Sequence, residues 1–345
     1  MAGARKSSRV RPEKLSAFLA AAYDVDADDQ TWLASVLEGA RSVWGRGGPA
    51  HGGIYDASDV TALRVLNAHF VDFSDAAVDC IMRGLRLCTP SMVTRTFRSL
   101  LANTTRQVGL PEMLPMLAEM AAFDCVDALN LNGLDPAGVG IFIGLWERNV
   151  TNLSAAEVEI YRHMAHHLGA AHRCRRRMRD SQAGRATLDA TDGAEAILDA
   201  RSRVVHAIGP AKEKTARAAL VATAKARDRA RTPKAEPGDS LRDWRPLTHA
   251  RWTLVDSFEE NGARYIVARE NQARFEGLES LTDRERQAVV YLALGQSTKE
   301  TAYALGISDV TVRVLLARAA AKLGVRSRAG LLAHHEVRLL RPDKP

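Results

Sequence analysis

Residues 281–332 read LTDRERQAVVYLALGQSTKETAYALGISDVTVRVLLARAAAKLGVRSRAGLL, and this stretch decides the fold of the C-terminal part of the chain. Thr282 and Glu285 form a capping box, because each side chain can satisfy a backbone N–H group that the first turn of a helix leaves free. Ser297 and Glu300 repeat the pattern. The spacing therefore predicts two helices, one beginning after each box.

A tight turn follows the second of these helices. Gly306 can adopt the positive φ angle of a helix C-terminus, and Ser308 can cap a third helix. Ala302 is small enough for two helices to cross closely, and a fourth helix is expected to begin near Ser327. Four helices in so few residues, with two of them joined at Gly306, predict a helix-turn-helix module.

The third predicted helix, residues 309–323, has two faces of different composition. The face expected to be buried carries Val312, Leu316, Ala319 and Leu323. The opposite face carries small apolar residues among arginines, namely Val310, Arg313, Val314, Ala317 and Arg318. A helix in the major groove of DNA could use both kinds, since arginines contact guanine edges or phosphates and small apolar groups contact thymine methyls.

This segment resembles the DNA-binding domain of the LuxR family of bacterial transcription regulators. The matching pieces are residues 281–286, 295–300, 305–308, 311–313 and 322–328, within about a fifth of the chain. Two positions depart from the family pattern. Thr301 stands where the family usually has isoleucine, and Leu315 replaces a frequent histidine of the recognition helix. These departures bear on the base preference that the family would imply.

The expected DNA-binding residues follow from the helix-turn-helix geometry. Thr298 and Lys299 are expected to contact phosphate, and Ser308 belongs to the same surface. The residues expected to face the groove are Thr311, Arg313, Val314, Ala317 and Arg318, and those expected near the DNA backbone are Lys322, Arg326 and Arg328. The resemblance also implies that the last helix, residues 328–340, pairs two copies, so that a homodimer reads half-sites about one helical turn apart.

The chain upstream of this domain predicts mixed α+β structure. Residues 13–180 read as two helices, two strands, a helix, two paired strands and a long exit helix that begins at a Ser154–Glu157 capping box. This order resembles a GAF-type sensor domain, with an antiparallel sheet, helices on one face and a pocket on the other. Residues 190–272 read as two strands, a helix and a hairpin, which resembles a PAS-like module. Residues 1–12 are expected to be a disordered basic tail.

The fold class expected for the whole chain is therefore multidomain. Sensor-like α+β domains, built on antiparallel sheets with flanking helices, are followed by an all-α helix-turn-helix domain of four helices over residues 278–340.

The predicted exit helix carries histidines, an arginine-rich run and a cysteine. His163 and His167 are one turn apart, but the sequence supplies neither a third ligand nor an HExxH motif, so packing or surface roles are expected and no metal site is predicted. The arginine-rich run 172–179 fits a solvated face, a favourable charge at a helix C-terminus or a phosphate contact. Cys174, surrounded by arginines, is a candidate oxidant-sensing thiol.

The composition is ordinary for a soluble globular protein, and the positive charge suits an anionic partner. The 345 residues carry a formal net charge of +7, and residues 278–345 hold 11 Lys and Arg against 7 Asp and Glu. Four scattered cysteines, no long apolar run and no signal-peptide pattern predict a cytoplasmic protein without a membrane span. No motif of an enzyme site or a bound cofactor is present, so neither an enzyme nor a cofactor is expected.

These features lead to one main functional hypothesis and two alternatives. The main hypothesis is a sequence-specific transcription regulator that binds double-stranded DNA and has an N-terminal sensory or dimerising region. One alternative is a sigma-type factor that recognises promoters as part of RNA polymerase. The other is a small-molecule binder or enzyme with an accessory helix-turn-helix. RNA polymerase and a small-molecule effector stay open as further partners.

Overall fold

The computed structural model describes residues 11–59, 61–98, 101–134, 138–184, 195–230, 247, 252–260, 263–270, 278, 280–334 and 337. The tail predicted over residues 1–12 lies outside this set except at its end, where Pro12 is the first residue of a helix. The linker predicted over residues 274–280 lies outside the described residues except at Leu278 and Ser280, and the hairpin turn predicted at Asn261–Gly262 also lies outside them.

The N-terminal unit surrounds a five-stranded antiparallel sheet with helices. Its elements are α1 (Pro12–Ala22), α2 (Asp29–Trp44), β1 (Ala50–Asp56), β2 (Arg64–Val71), α3 (Asp75–Arg86), α4 (Pro90–Met92), β3 (Leu101–Thr104), α5 (Thr105–Val108), α6 (Leu114–Ala121), β4 (Asp127–Leu134), β5 (Val139–Glu147) and α7 (Ala155–Gly184). The strand order is β2-β1-β5-β4-β3. The predicted β4–β5 pairing is confirmed, and α7 continues past its predicted end at residue 179.

Local signals explain where α2 begins and ends. The Asp28 side chain accepts hydrogen bonds from the backbone N–H groups of Gln30 and Thr31, and Gly45 ends the helix with a φ of 68°. The apolar face of α2 includes Trp32, which is completely buried. This face packs with α1 and α7 against one side of the sheet.

The second face of the sheet is also covered, which corrects the expectation that helices cover one face only. Ile81 of α3 and Met120 of α6 pack with Ala128 of β4 and Trp146 of β5 on that face. The reason is visible in β4 and β5, whose residues are buried at almost every position instead of at alternate ones. Strands of this kind need cover on both faces.

A second antiparallel sheet follows in the chain. It contains β6 (Ala196–Asp199), β7 (Val204–Ala207), β8 (Trp252–Glu260) and β9 (Ala263–Glu270) in the order β7-β6-β9-β8, and helix α8 (Lys214–Ala230) packs on it. Leu220 of α8 is buried beside Leu198 and Trp252 of the sheet. The predicted order of two strands, a helix and a hairpin therefore matches the described residues.

The arginine-rich end of α7 is a packing element, which contradicts the predicted solvated or phosphate-binding role for Arg175. Its side chain is 2% exposed, and its guanidinium donates to the carbonyl oxygens of Asp24 at 2.5 Å and Ala27 at 2.6 Å. The same group lies 4.5 Å from the centre of the Trp32 ring. Arg175 therefore ties α7 to the loop between α1 and α2. Cys174 is half-buried, with its Sγ 3.7 Å from the carbonyl oxygen of Leu254 in β8.

Replacing Gly133 by alanine is expected to destabilise the N-terminal unit. An added Cβ would lie 2.4 Å from the amide nitrogen of Gly169 and 2.8 Å from the carbonyl oxygen of Ala165. Both atoms belong to the backbone of α7, so the helix must move away from β4. We expect the free energy of unfolding, measured by chemical denaturation, to fall by about 3 kcal/mol.

Gly47→Ala is the matched control for this substitution. An added Cβ at Gly47 meets nothing within 4 Å, so only its φ of 63° opposes the change. That strain costs about 1–2 kcal/mol. Equal losses in the two variants would contradict the close packing of α7 on β4.

Candidate nucleic-acid interface

The C-terminal unit begins with the two capping boxes expected from the sequence, and both are confirmed. Its helices are α9 (Asp283–Ala293), α10 (Thr298–Leu305), α11 (Asp309–Lys322) and α12 (Arg328–Ala333). The Thr282 hydroxyl accepts from the Glu285 backbone N–H, and the Glu285 carboxylate accepts from the Thr282 backbone N–H. Ser297 and Glu300 form the same pair of bonds at the start of α10.

The turn between α10 and α11 has the geometry that its residues predict. Gly306 has a φ of 65°, and the Ile307 backbone N–H donates to the carbonyl oxygen of Ala302. The Ser308 hydroxyl accepts from the Thr311 backbone N–H at 3.1 Å and caps α11. Leu305 and Val312 are buried beneath the turn, so α10 and α11 are held in a fixed crossing.

Helix α11 buries one face and exposes the other. Val312 and Ala319 are completely buried and Leu316 is 8% exposed, whereas Leu323 is only half-buried. The opposite face is exposed at all five expected positions, which are Val310, Arg313, Val314, Ala317 and Arg318. Val310 is 62% exposed and Val314 is 44% exposed, which is unusual for valine on a helix that packs into a core. An interaction surface of mixed apolar and cationic character results.

The two departures from the LuxR pattern lie in the core of this unit. Thr301 is 1% exposed and Leu315 is 9% exposed. Neither side chain is on the exposed face of α11. These substitutions therefore affect packing inside the domain, and they leave the face that was expected to read bases unchanged.

The candidate DNA-backbone contacts differ in their surroundings. Lys322 donates to the Glu285 carboxylate at 2.7 Å, and Arg328 donates to the carbonyl oxygen of Gln296 at 3.1 Å. Burial raises the pKa of Glu285, but hydrogen bonds from Lys322 and Thr282 outweigh it and the net shift is downward. Arg326 is exposed. Lys322 and Arg328 thus also hold the domain together.

The last helix, predicted over residues 328–340, is interrupted at His334, while Val337 is again helical and residues 335, 336 and 338–340 lie outside the described residues. Helix α12 ends at Ala333 with His334 as its C-terminal cap. Leu331 is 1% exposed and packs in the core of its own domain. Leu331 is therefore not part of a free pairing surface.

Helix α7 of the N-terminal unit lies against α10. We call this the α7–α10 contact and define it by Glu159, Arg162, His163, His166 and His167 on α7 and Lys299, Glu300 and Tyr303 on α10. Among the described residues, its charged part includes two ion pairs. Arg162 Nη1 lies 2.6 Å from Glu300 Oε1, and Lys299 Nζ lies 3.3 Å from Glu159 Oε1. Lys299, a candidate phosphate contact, is thus paired with a carboxylate of the N-terminal unit.

The buried part of the α7–α10 contact is centred on Tyr303, which the sequence did not single out. The His163 ring stacks on the Tyr303 ring with centroids 4.0 Å apart. The Tyr303 hydroxyl is 2.9 Å from Nε2 of His167, and Nδ1 of His167 is 2.9 Å from the hydroxyl of Tyr23, the residue that caps the C-terminus of α1. The histidines expected to pack or to face solvent therefore pack, and they connect α1 to α10.

Burial keeps two of these histidines neutral. It lowers the pKa of His166 to about 3, with the neighbouring charge of His163 adding to the effect. It also places the pKa of His167 well below the ordinary value of 6.5. A neutral imidazole has one N–H donor and one acceptor nitrogen, which suits the position of His167 between two tyrosine hydroxyls.

The comparisons with known proteins agree with this geometry. Residues 279–334 match the family model of bacterial regulatory proteins of the luxR family, also called GerE. The C-terminal unit is therefore a LuxR-type helix-turn-helix domain, a kind of domain that binds DNA. A search among curated proteins found no match to the chain. Among the helices of the described ranges, none has the length and hydropathy to cross a membrane.

The stability of the protein is expected to fall as the pH drops below about 6.5. The folded state keeps His166 neutral down to pH 3, whereas the unfolded chain takes up the proton near pH 6.5. Stability that is present above pH 6.5 is thus lost as the pH falls towards 3. Each histidine that stays neutral in the folded state lowers the free energy of unfolding by up to about 1.4 kcal/mol for each pH unit below 6.5.

The contribution of His166 is measured by denaturing wild type, His166→Asn and a control at pH 7 and pH 5. The control is His206→Asn, because His206 is exposed on β7. The wild type and the control should lose more stability than His166→Asn on acidification. Identical losses in all three proteins would contradict the burial of a neutral His166.

Proposed function

We propose that this protein is a sequence-specific transcription regulator whose helix α11 enters the major groove of double-stranded DNA. The main support for this proposal is the exposed face of α11, on which Val314 and Ala317 lie between Arg313 and Arg318. Small apolar side chains suit thymine methyls, and arginines suit guanine edges. The luxR family match over residues 279–334 supports the same use of the helix. In this proposal the chain is not an enzyme.

Arg313 is the strongest candidate for reading a base. Its side chain is 69% exposed, and its guanidinium lies 3.0 Å from the carboxylate of Asp309 one turn earlier. This exposed pair is worth little by itself, so the arginine can exchange it for a guanine at small cost. Asp309 would meanwhile favour one orientation of the side chain. Ser308 and Thr311 lie beside it at the start of α11, where hydroxyl groups can contact phosphate.

The proposal includes a homodimer that reads two half-sites. Many helix-turn-helix proteins bind as dimers because a two-fold axis matches a palindromic site. The exposed positions of α12 include Ala329 and Ala333, whose small side chains allow two helices to approach closely. The apparent mass in solution, with and without DNA, tests this part of the proposal.

The α7–α10 contact suggests that DNA binding is regulated. In a helix-turn-helix domain the helix before the recognition helix crosses the DNA backbone. Glu159 places a carboxylate beside Lys299, where a DNA phosphate would otherwise lie. We therefore propose that the N-terminal unit weakens DNA binding through α7, and that release of this contact frees Lys299. The buried rings around Tyr303 would hold the weaker-binding state in place.

Arg313→Ala is expected to relax base preference at one position of the DNA site. Loss of a paired guanine contact should cost about 1–3 kcal/mol on the preferred site and much less on other sequences. Selection from a random DNA pool, followed by affinity measurements on the selected and a mismatched site, detects this difference. Arg83→Ala on α3 is the control because that arginine is exposed and outside the C-terminal unit. Uniform weakening on every sequence would make Arg313 a phosphate contact instead.

Arg162→Gln tests the α7–α10 contact, because we expect it to increase the affinity for DNA although it removes a positive charge. The substitution removes a positive charge, so simple electrostatics predicts weaker binding to DNA. Loss of the ion pair to Glu300 should loosen the contact instead and strengthen binding. We expect the affinity to increase by up to about fivefold, because partly exposed ion pairs contribute about 0.2–1 kcal/mol. Affinity for the selected DNA site at fixed salt measures the effect.

The controls for this test match the change in charge. Arg83→Gln removes an equal charge from an exposed ion pair with Glu119 and should weaken DNA binding slightly or not at all. Glu159→Gln and Glu119→Gln form the corresponding acidic pair, because each removes one negative charge. Both can strengthen DNA binding through this change in net charge, and we expect Glu159→Gln to strengthen it more. If Arg162→Gln and Arg83→Gln weaken binding equally, α7 does not restrain α10.

A further inference from the structure

The N-terminal unit contains a cavity on the face of its sheet away from α7. Its volume is about 80 Å³, and it lies between β4 and β5 on one side and α3, α4 and α6 on the other. Ala128 and Phe142 form part of its floor, and Ile81 and Leu85 of α3 form part of its wall. Four of the eight methionines in the chain line it, namely Met92, Met113, Met116 and Met120.

The floor of the cavity depends on glycines that stand opposite aromatic rings. His51 of β1 pairs with Gly144 of β5, and Gly53 of β1 pairs with Phe142 of β5. A Cβ added at Gly144 would lie 2.2 Å from the His51 ring, and one added at Gly53 would lie 2.9 Å from the Phe142 ring. Each ring can therefore lie flat across the neighbouring strand. This arrangement brings both His51 and Phe142 to the cavity surface.

Two polar atoms of the lining are buried without a hydrogen-bond partner among the residues that the structure describes. They are Nδ1 of His51 and the hydroxyl oxygen of Thr96. Buried polar groups are hydrogen-bonded in the great majority of proteins, so two orphaned groups at one cavity call for a ligand that satisfies them. Burial lowers the pKa of His51 to about 4, so its ring is neutral at pH 7. A neutral imidazole and a hydroxyl can each donate or accept.

The lining also restricts the chemistry of a ligand. Among the described residues, those that line the cavity include no lysine, arginine, aspartate or glutamate that could balance the charge of a phosphate or a carboxylate. An apolar cavity of about 150 Å³ holds benzene, and this cavity is about half that size. Methionine side chains are flexible and fill irregular spaces, so they can move to admit a single ring.

We infer that this cavity binds a small, uncharged and largely apolar molecule, no larger than a single ring, whose one polar group bonds Thr96 or His51. Phosphorylated and other anionic ligands do not fit the same surface. The inference is independent of the proposed function, because binding of such a molecule does not require the C-terminal unit to bind DNA. It assigns the N-terminal unit a ligand class that its sheet and helices alone do not specify.

Phenol and toluene are suitable probes because they have nearly the same shape and differ by a hydroxyl in place of a methyl group. Full-length protein labelled with ¹³C at its methionine methyl groups is titrated with each probe and followed by NMR. We expect shifts at Met92, Met113, Met116 and Met120, and about tenfold tighter binding of phenol. Met164 is the internal control, since it is buried on the opposite side of the sheet.

Thr96→Val separates a ligand contact from simple apolar packing. The substitution keeps the shape of the side chain and removes the hydroxyl, so phenol should lose most of its advantage while toluene binds as before. The inference is wrong if neither probe shifts the four methionines, or if Met164 shifts as much as they do. It is also wrong if phenol keeps its advantage over toluene in both Thr96→Val and His51→Phe.

Discussion

The close packing of α7 on the N-terminal sheet is the constraint on which the rest of the structure depends. Gly133 of β4 and Gly169 of α7 have no side chains, so the helix and the strand approach at backbone distance. This approach fixes the direction in which α7 leaves the sheet. Arg175 then ties the far part of the helix to the α1–α2 loop, while Glu159 and Arg162 near its beginning reach α10. Helix α7 thereby belongs to the N-terminal core and also contacts the surface of the helix-turn-helix domain.

The contact between α7 and the helix-turn-helix domain combines two kinds of interaction with different strengths. The ion pairs of Arg162 and Lys299 are partly exposed, so salt screens them and each contributes little. Tyr303 is 7% exposed and packs against the neutral rings of His166 and His167, so salt affects this buried part of the contact much less. In the proposed regulation, DNA would compete with the carboxylate of Glu159 for Lys299. Release of the contact, as proposed, would also require the Tyr303 ring to separate from the histidine rings of α7.

Local signals made much of this structure predictable from the sequence. The capping boxes at Thr282 and Ser297 and the glycine at position 306 act within a few residues, so they identified α9, α10 and the turn. The exposed face of α11 followed from helical periodicity. Long-range partners could not be found in this way: Arg175 looked solvated because its partners lie about 150 residues earlier. Tyr303 was missed for the same reason, and the short helices of residues 90–121 lack a periodic pattern long enough to predict.

The central claim is that α11 reads the base sequence of DNA, and selection of binding sites by the full-length protein tests it most directly. The protein is incubated with a random pool of duplexes, and the enriched DNA is then titrated at several salt concentrations. We predict enrichment of one partly palindromic motif. We also predict that the logarithm of the binding constant falls linearly with the logarithm of the salt concentration. Affinity that falls with salt but shows no enriched motif would mean that the domain contacts phosphates alone, and the claim would be wrong.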